Sequence, residues 1–364
     1  LGRISSTIDD EVTGSSVQLP FSHMGAYLQV PEVEVVGAAD LHAEQREAFG
    51  ERYGFSHLYT DYREMLETER PDIVSVCTSA KYRADIVTTI ADMDVGVRAI
   101  WAEKPISVSL AEGDAMVSGC RKAGIKLAIN CRRRWDPWWN QVRSMIDDGT
   151  IGRVLQVNVY QRGELSHNSH ALNLARYLAG GDGRVAWVFG EMENDESVHS
   201  EDDLGGRCYL VFENGARAYV RLAYEERAAW IHDEADVMGS EGRIKGLNNG
   251  REFEWWRKLE GERDAELYRQ LFPRPQWLSS DGVRAVRDLM LCIETDKEPN
   301  CSGDDGLHDL EVAVALRESH RQGGRRIDLP ITDRSQRIIS SEDIRFPDLP
   351  RAMVGNVPIQ QRQG

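Results

Sequence analysis

Across 364 residues the chain carries 44 Lys+Arg against 60 Asp+Glu, a formal net charge of −16, with 41% hydrophobic and 29% charged residues. That length provides for two domains or one large one, and the composition is ordinary for a globular protein. The acidic balance argues against a nucleic-acid-binding surface, and no apolar run approaches the ~20 residues that span a bilayer.

The opening residues, Leu1-Gly2-Arg3-Ile4-Ser5, include no Met and no apolar signal core. Residues 33–39, rich in β-branched side chains, predict a strand ending at Asp40. Helices follow at 43–53 and 61–69, the second with Asp61 as its N-cap. Strands are predicted at 73–78, 99–102 and 126–130, separated by helices at 83–92 and 110–123. Strand–helix alternation of this kind implies parallel βαβ units in an open α/β sheet.

After Asn130 the rhythm changes. A helix at 137–148, a strand at 154–160 and a helix at about 168–178 lead into strand-like stretches. These lie at 185–189, 207–212, 216–222, 235–238, 243–247 and 252–256, with Asn214-Gly215 as a hairpin signal. Such runs predict an antiparallel sheet with helices on one face. Two late helices, 282–295 and 306–321, precede a proline-bearing arm from about Ser335. The predicted division is therefore 1–129, 130–334 and an extended arm at 335–364. Cys77, Cys120, Cys131, Cys208, Cys292 and Cys301 form no C-x-x-C pair and read as scattered buried thiols in a reducing cytosol. No clustered Cys or His suggests structural zinc, so no metal is expected.

A parallel α/β sheet binds its ligand at the carboxyl ends of its strands. Asp40 stands at one such end, as a ribose ligand or as a helix N-cap. Leu41-His42 follow it, with no Arg for a 2′-phosphate, which favours NAD over NADP. Gly2-Arg3-Ile4 could be the back half of a G-x-G-x-x-G/A phosphate loop, with a turn-rich insertion at 9–20 explaining the long spacing to Asp40. Glu103-Lys104-Pro105 closes a strand. A lysine there is partly desolvated and suited to proton transfer, unless the motif is only a surface Glu–Lys pair before a helix. His170 and Asn173 share one helix face and a common pocket; His167 lies on that face too. Arg132-Arg133-Arg134-Trp135, with Trp138 and Trp139, either borders a sugar pocket or packs an interdomain joint.

In this order and spacing the motifs resemble the Gfo/Idh/MocA oxidoreductases. The matching pieces are Gly2-Arg3-Ile4, Ala39-Asp40, Tyr59-Thr60-Asp61-Tyr62, residues 71–78, Glu103-Lys104-Pro105, residues 130–133, Gly152-Arg153-Val154 and Ser169-His170 with Asn173. Gly239-Ser240-Glu241-Gly242 and residues 302–306 complete the series. The resemblance implies an N-terminal Rossmann domain and a C-terminal α+β domain whose open, mostly antiparallel sheet forms a homo-oligomer interface, in a dimer or tetramer. It implies NAD(P)-dependent oxidation or reduction at a carbon of a sugar, polyol or sugar derivative. Cysteine usage and composition add the expectation of a cytoplasmic protein without a membrane or nucleic-acid partner.

By position, Gly2, Arg3 and Ile4 would lie by the pyrophosphate, Asp40 by the adenosine ribose, and Thr78 and Ser79 near the cofactor. Glu103 and Lys104 would approach the nicotinamide. Lys104 and His170 would be catalytic, with Arg133 and Asn173 also on the substrate. Ser166 and Asn173 stand where the family often has Asp, so a larger share of proton work is expected of Lys104. Two alternatives remain: an NAD-dependent glycosidase acting through transient oxidation and elimination, and a non-catalytic dinucleotide-sensing protein. On the same reading Leu1 falls inside the phosphate loop. The chain is then expected to be a fragment whose first Rossmann strand and first glycine precede it, and to bind NAD poorly as it stands.

Overall fold

The computed structural model describes residues 1–11, 18–162, 169–192, 205–223, 233–248, 250–258 and 266–338. Ser166, His167, the middle of the 9–20 insertion and the arm beyond 338 lie outside them. The chain begins with a π-helical turn (Arg3–Thr7) running into α1 (Ile8–Glu11), then α2 (His23–Leu28). Next come β1 (Ala38–Ala39), α3 (Ala43–Tyr53), β2 (Leu58–Tyr59), α4 (Tyr62–Glu69), β3 (Ile73–Val76) and α5 (Ala80–Asp92). The series ends with β4 (Ala99–Ala102), α6 (Leu110–Ala123) and β5 (Lys126–Ile129).

Local chemistry explains these boundaries. Asp61 and Ser109 cap α4 and α6 by accepting from Arg63 N–H and Glu112 N–H, and Gly124 ends α6 in the left-handed conformation at φ 72°. Strand β4 is buried along its whole length, as a central parallel strand must be.

All strand pairs in this half are parallel, but they form two sheets, β1–β2 and β3–β4–β5. The strand expected over 33–39 is paired only at Ala38–Ala39, against Leu58–Tyr59. No strand among the described residues lies between β1 and β3. Their facing edges instead border a slot of about 1300 Å³ lined by residues from both sheets.

The second half opens with a 3₁₀ turn (Arg132–Arg134), α7 (Pro137–Asp147), β6 (Val154–Arg162) and α8 (Ser169–Leu178). Then follow β7 (Val185–Met192), β8 (Gly205–Phe212), β9 (Arg217–Ala223), β10 (Asp233–Gly239), β11 (Gly242–Leu247), β12 (Glu252–Arg257) and β13 (Tyr268–Gln270). Helices α9 (Asp281–Thr295) and α10 (Gly303–Arg321) and the short β14 (Ile327–Asp328) close the described chain. Nine strands make one sheet in the order β13-β12-β11-β10-β6-β9-β8-β7-β14, antiparallel throughout except for β6 against β9. Gly215, at φ 86°, turns β8 into β9 as the Asn-Gly pair predicts. One sheet face is buried beneath α8 and α10. The other carries Tyr160, Trp187, Phe189, Tyr209 and Tyr219 in two ring clusters. All six cysteines are free thiols, five of them buried.

Candidate active site

The carboxyl ends of β3, β4 and β5 converge on Glu103 and Lys104. Glu103 leaves the end of β4, and its main-chain N–H donates to Val76 O of β3 at 3.0 Å. Its side chain is buried. Oε1 accepts from Asn130 Nδ2 at 2.6 Å, beyond β5, and lies 3.2 Å from His23 Nε2; Oε2 accepts the Lys104 main-chain N–H at 3.3 Å. Burial opposes ionisation of Glu103, yet His23, Lys104 and Asn130 together draw its pKa down to about 2. Lys104 moves the other way from its ordinary range: burial lowers its pKa, Arg83 and Arg133 add to the effect, and Glu103 and Cys131 oppose it. The motif is a paired, desolvated site at a strand end and not a surface pair.

Arg83, one turn into α5, ties the two strand-end turns together. Its guanidinium donates to Thr78 O after β3 and to Pro105 O after β4, across a cis Lys104–Pro105 peptide. Ser79 caps α5, accepting from Lys81 N–H at 3.3 Å. Thr78 and Ser79 line the slot, as do Gly2, Asp40 and His23.

The Asp40 carboxylate is not the cap of α3, because that position belongs to His42. It accepts the His42 N–H at 2.9 Å and meets the main-chain nitrogen of Leu1. Arg46 donates to the main-chain oxygen of Asp40 at 2.7 Å. Gly2 precedes the helical turn and faces the slot, whereas the Arg3 side chain turns outward to Glu11 at 2.7 Å. Ile4 is not among the slot-lining residues.

Comparison with known proteins converges on one family. An oxidoreductase family described as an NAD-binding Rossmann fold matches residues 18–131, and its C-terminal alpha/beta domain matches residues 143–329. The chain belongs to the Gfo/Idh/MocA oxidoreductases. D-apiose dehydrogenase of Paraburkholderia graminis is 28% identical over 332 residues, covering 83% of this chain and 85% of the relative. Myo-inositol 2-dehydrogenase of Thermotoga maritima is 23% identical over 298 residues, covering 77% and 87%. The fold matches an oxidoreductase from Agrobacterium radiobacter solved with NAD+, L-tartaric acid and magnesium, with a TM-score of 0.71, 21% identity, and 84% and 94% of the two chains covered.

On this Gfo/Idh/MocA scaffold the second half meets the first through the 3₁₀ turn. Arg133 is buried near Lys104. Arg134 Nε donates to Asn173 Oδ1 at 2.8 Å, and Asn173 Nδ2 donates to Asp309 Oδ2 at 2.7 Å. Asn173, 1% exposed, is thereby spent on the joint between α8 and α10, one turn beyond the half-buried His170. Arg176 extends that joint, donating to Asp309 Oδ1 at 2.6 Å and to Asp305 Oδ1 at 3.3 Å.

Trp135, Trp138 and Trp139 pack against neighbouring side chains. Trp135 Nε1 donates to Asp288 at 2.8 Å, Trp138 stacks on Phe253, and the buried Trp139 lies edge-on to that ring.

Sequence reasoning missed His23, Asn130 as a Glu103 ligand, and Arg83. For Asn130 a signal existed, since it follows β5 at the same level as Glu103 after β4. For His23 and Arg83 there was none, because their partners are brought near only by the fold. No helix among the described residues is long and apolar enough to cross a membrane.

Proposed function

We propose that this oxidoreductase is an NAD-dependent dehydrogenase acting on a CH–OH group of a sugar, polyol or sugar derivative, with Lys104 and His170 handling the hydroxyl proton. The observation that carries this reading is Lys104. It is a lysine at a parallel strand end with its pKa lowered, flanked by an ionised buried carboxylate and two arginines. Burial disfavours its ammonium form, which suits the side chain to accepting a proton from a bound hydroxyl. D-apiose and myo-inositol, named for two relatives, are polyhydroxylated compounds that present such a hydroxyl.

The slot supports the cofactor assignment. It brings Gly2, Asp40, Thr78 and Ser79 to one cavity. Gly2 would take the pyrophosphate side and Asp40 the ribose, with Thr78 and Ser79 near the cofactor and Glu103 and Lys104 toward the nicotinamide; Arg3, turned to Glu11, and Ile4, outside the slot lining, are left out of this assignment. When bound, NAD supplies the hydride acceptor. The Asp40 carboxylate disfavours a 2′-phosphate, and Arg46 is engaged with the main chain, so NAD is preferred to NADP. In this reading residues 1–129 hold the dinucleotide and 130–334 shape the substrate side. Arg133 and His170 face the substrate, and Asn173 steadies the helix that carries His170. The aromatic open face of the large sheet is the proposed homo-oligomer surface, to be tested by sedimentation of Phe189→Asp, which should shift the population toward smaller species.

The deciding experiment follows absorbance of NADH over a panel of sugars, polyols and glycosides. Net NADH formation on at least one polyol is expected, and Lys104→Met should lower kcat/KM by about 10²-fold or more. Unchanged turnover in Lys104→Met would remove the lysine from the reaction. Glycoside cleavage without net NADH would point to the transient-oxidation chemistry instead.

A further inference from the structure

We propose that His23 is a positioning residue for the Glu103–Lys104 pair: it holds the Glu103 carboxylate through Nε2, so that this charge is not spent on the Lys104 ammonium. The inference rests on the reading of Lys104 as the group that accepts the hydroxyl proton, and it assigns an electrostatic task to a residue that does not itself meet substrate.

The first support is the geometry of the ring. His23 is 2% exposed and stacks on Trp101 with centroids 3.7 Å apart. Nδ1 lies 2.9 Å from Ser75 Oγ, which is itself 2.8 Å from the Tyr27 hydroxyl, and Nε2 lies 3.2 Å from Glu103 Oε1. Both ring nitrogens thus have an oxygen partner, an arrangement compatible with an imidazolium that donates to each.

The second support is that the chain builds a seat for this one side chain. The Asp9 carboxylate accepts the N–H groups of Phe21 at 2.6 Å and Ser22 at 3.0 Å, together with the Ser22 hydroxyl. Ser22 in turn caps α2, accepting from Gly25 N–H at 3.0 Å. A Cβ at Gly25 would come within 2.6 Å of Pro20 and 2.8 Å of Asp9, so the start of α2 is pressed tightly onto the turn before it. The ends of the 9–20 insertion therefore fix the position of His23, the first residue of α2.

Electrostatics give the arrangement its consequence. Burial disfavours a charged His23, but Cys77 and Glu103 beside it raise its pKa to about 9, so it stays cationic through neutral pH. Tyr27 from α2, Ser75 and Cys77 from β3, Glu103 after β4 and Asn130 after β5 are the polar groups that face it. Lys104 is faced by Glu103, Cys131, Arg83 and Arg133. An unneutralised Glu103 would stabilise the Lys104 ammonium and spoil it as a base. With His23 cationic the carboxylate is balanced, and burial together with the two arginines prevails.

His23→Gln tests this by keeping a donor for Glu103 while removing the charge. In lysine-labelled protein, with the Lys104 signal assigned by its absence in Lys104→Met, the apparent pKa of Lys104 should rise by about one unit, a tenfold change in proton affinity. The acidic limb of the kcat/KM profile should move up with it. A Lys104 titration that is unchanged or lowered, or a uniform loss of rate with the limb unmoved, would overturn the proposal. Should the variant fail to fold, ¹⁵N spectra of the unmodified protein decide: an imidazolium at pH 7.5 is expected, and a neutral His23 ring refutes it. A raised Lys104 pKa in a protein inactive on every substrate would leave the electrostatic link standing and sink the dehydrogenase reading, so the two failures are separable.

Discussion

Glu103 and Lys104 are adjacent in sequence, yet their surroundings push them toward opposite ends of usefulness. The carboxylate is over-supplied with partners and the ammonium under-supplied with counter-charge. The same wiring gives the pair a stability signature. The folded pKa of His23 is raised from 6.5 to about 9, so its contribution is complete below about 6.5 and is lost as pH rises through 9. That of Glu103 is lowered from 4.5 to about 2, so its contribution is complete above about 4.5 and is lost as pH falls through 2. Both are fully present only between about pH 4.5 and 6.5. Urea denaturation of the native protein and His23→Gln should show the largest stability gap in that window, closing as pH approaches 9. A gap that widens with pH would contradict the cationic assignment.

At the scale of elements, close backbone approaches fix how the large sheet meets its helices. The Gly239-Ser240-Glu241-Gly242 turn joins β10 to β11, and Glu241 N–H donates to Ile151 O at 2.9 Å. A Cβ at Gly239 would stand 2.0 Å from that same oxygen. Gly239→Ala should therefore cost about 1–3 kcal/mol, read from the denaturation midpoint, while leaving the distant Lys104 titration unmoved.

Legibility in the sequence follows the range of the forces involved. Helices α4 and α6 could be read because their caps are local, and β4 because a wholly buried parallel strand is a continuous apolar run, which β5 matches after Lys126. Glu103 and Lys104 were legible for the same reason, as polar residues abruptly ending such a run. The strand expected over residues 33–39 contracted to Ala38–Ala39 because β-branched composition signals extended backbone without supplying a neighbour to pair with. The three-residue edge strand β13 was too short to carry a period. His23 was invisible because its partners Ser75 and Glu103 are 52 and 80 residues away, and a lone histidine after a turn looks like any other.

Over the whole molecule, apolar packing divides unevenly. One large cluster runs from β3, β4 and β5 through α9 and α10 into the nine-stranded sheet, so the two halves share a core. A second cluster of Met24, Ala38 and Phe49, with Val35, Tyr53, Phe55 and Leu58 packed around it, belongs almost entirely to the β1–α3–β2 unit. That unit has its own two-stranded sheet on the far side of the slot and carries Asp40. Its separate pairing, with α4 as the link from both its strands to the large cluster, makes it a candidate for opening ahead of the rest.

Amide exchange gives this separation a measurable form. Protons in α3 and β2 should exchange through a low-energy opening that leaves α6 and β4 protected. A dinucleotide bridging Asp40 to Thr78 would join the two sheets through its own body, and its binding should slow α3 exchange far more than α6 exchange. Part of its intrinsic affinity would be spent on holding the lobe closed, so apparent affinity would track the stability of the lobe as well as the contacts made in the slot.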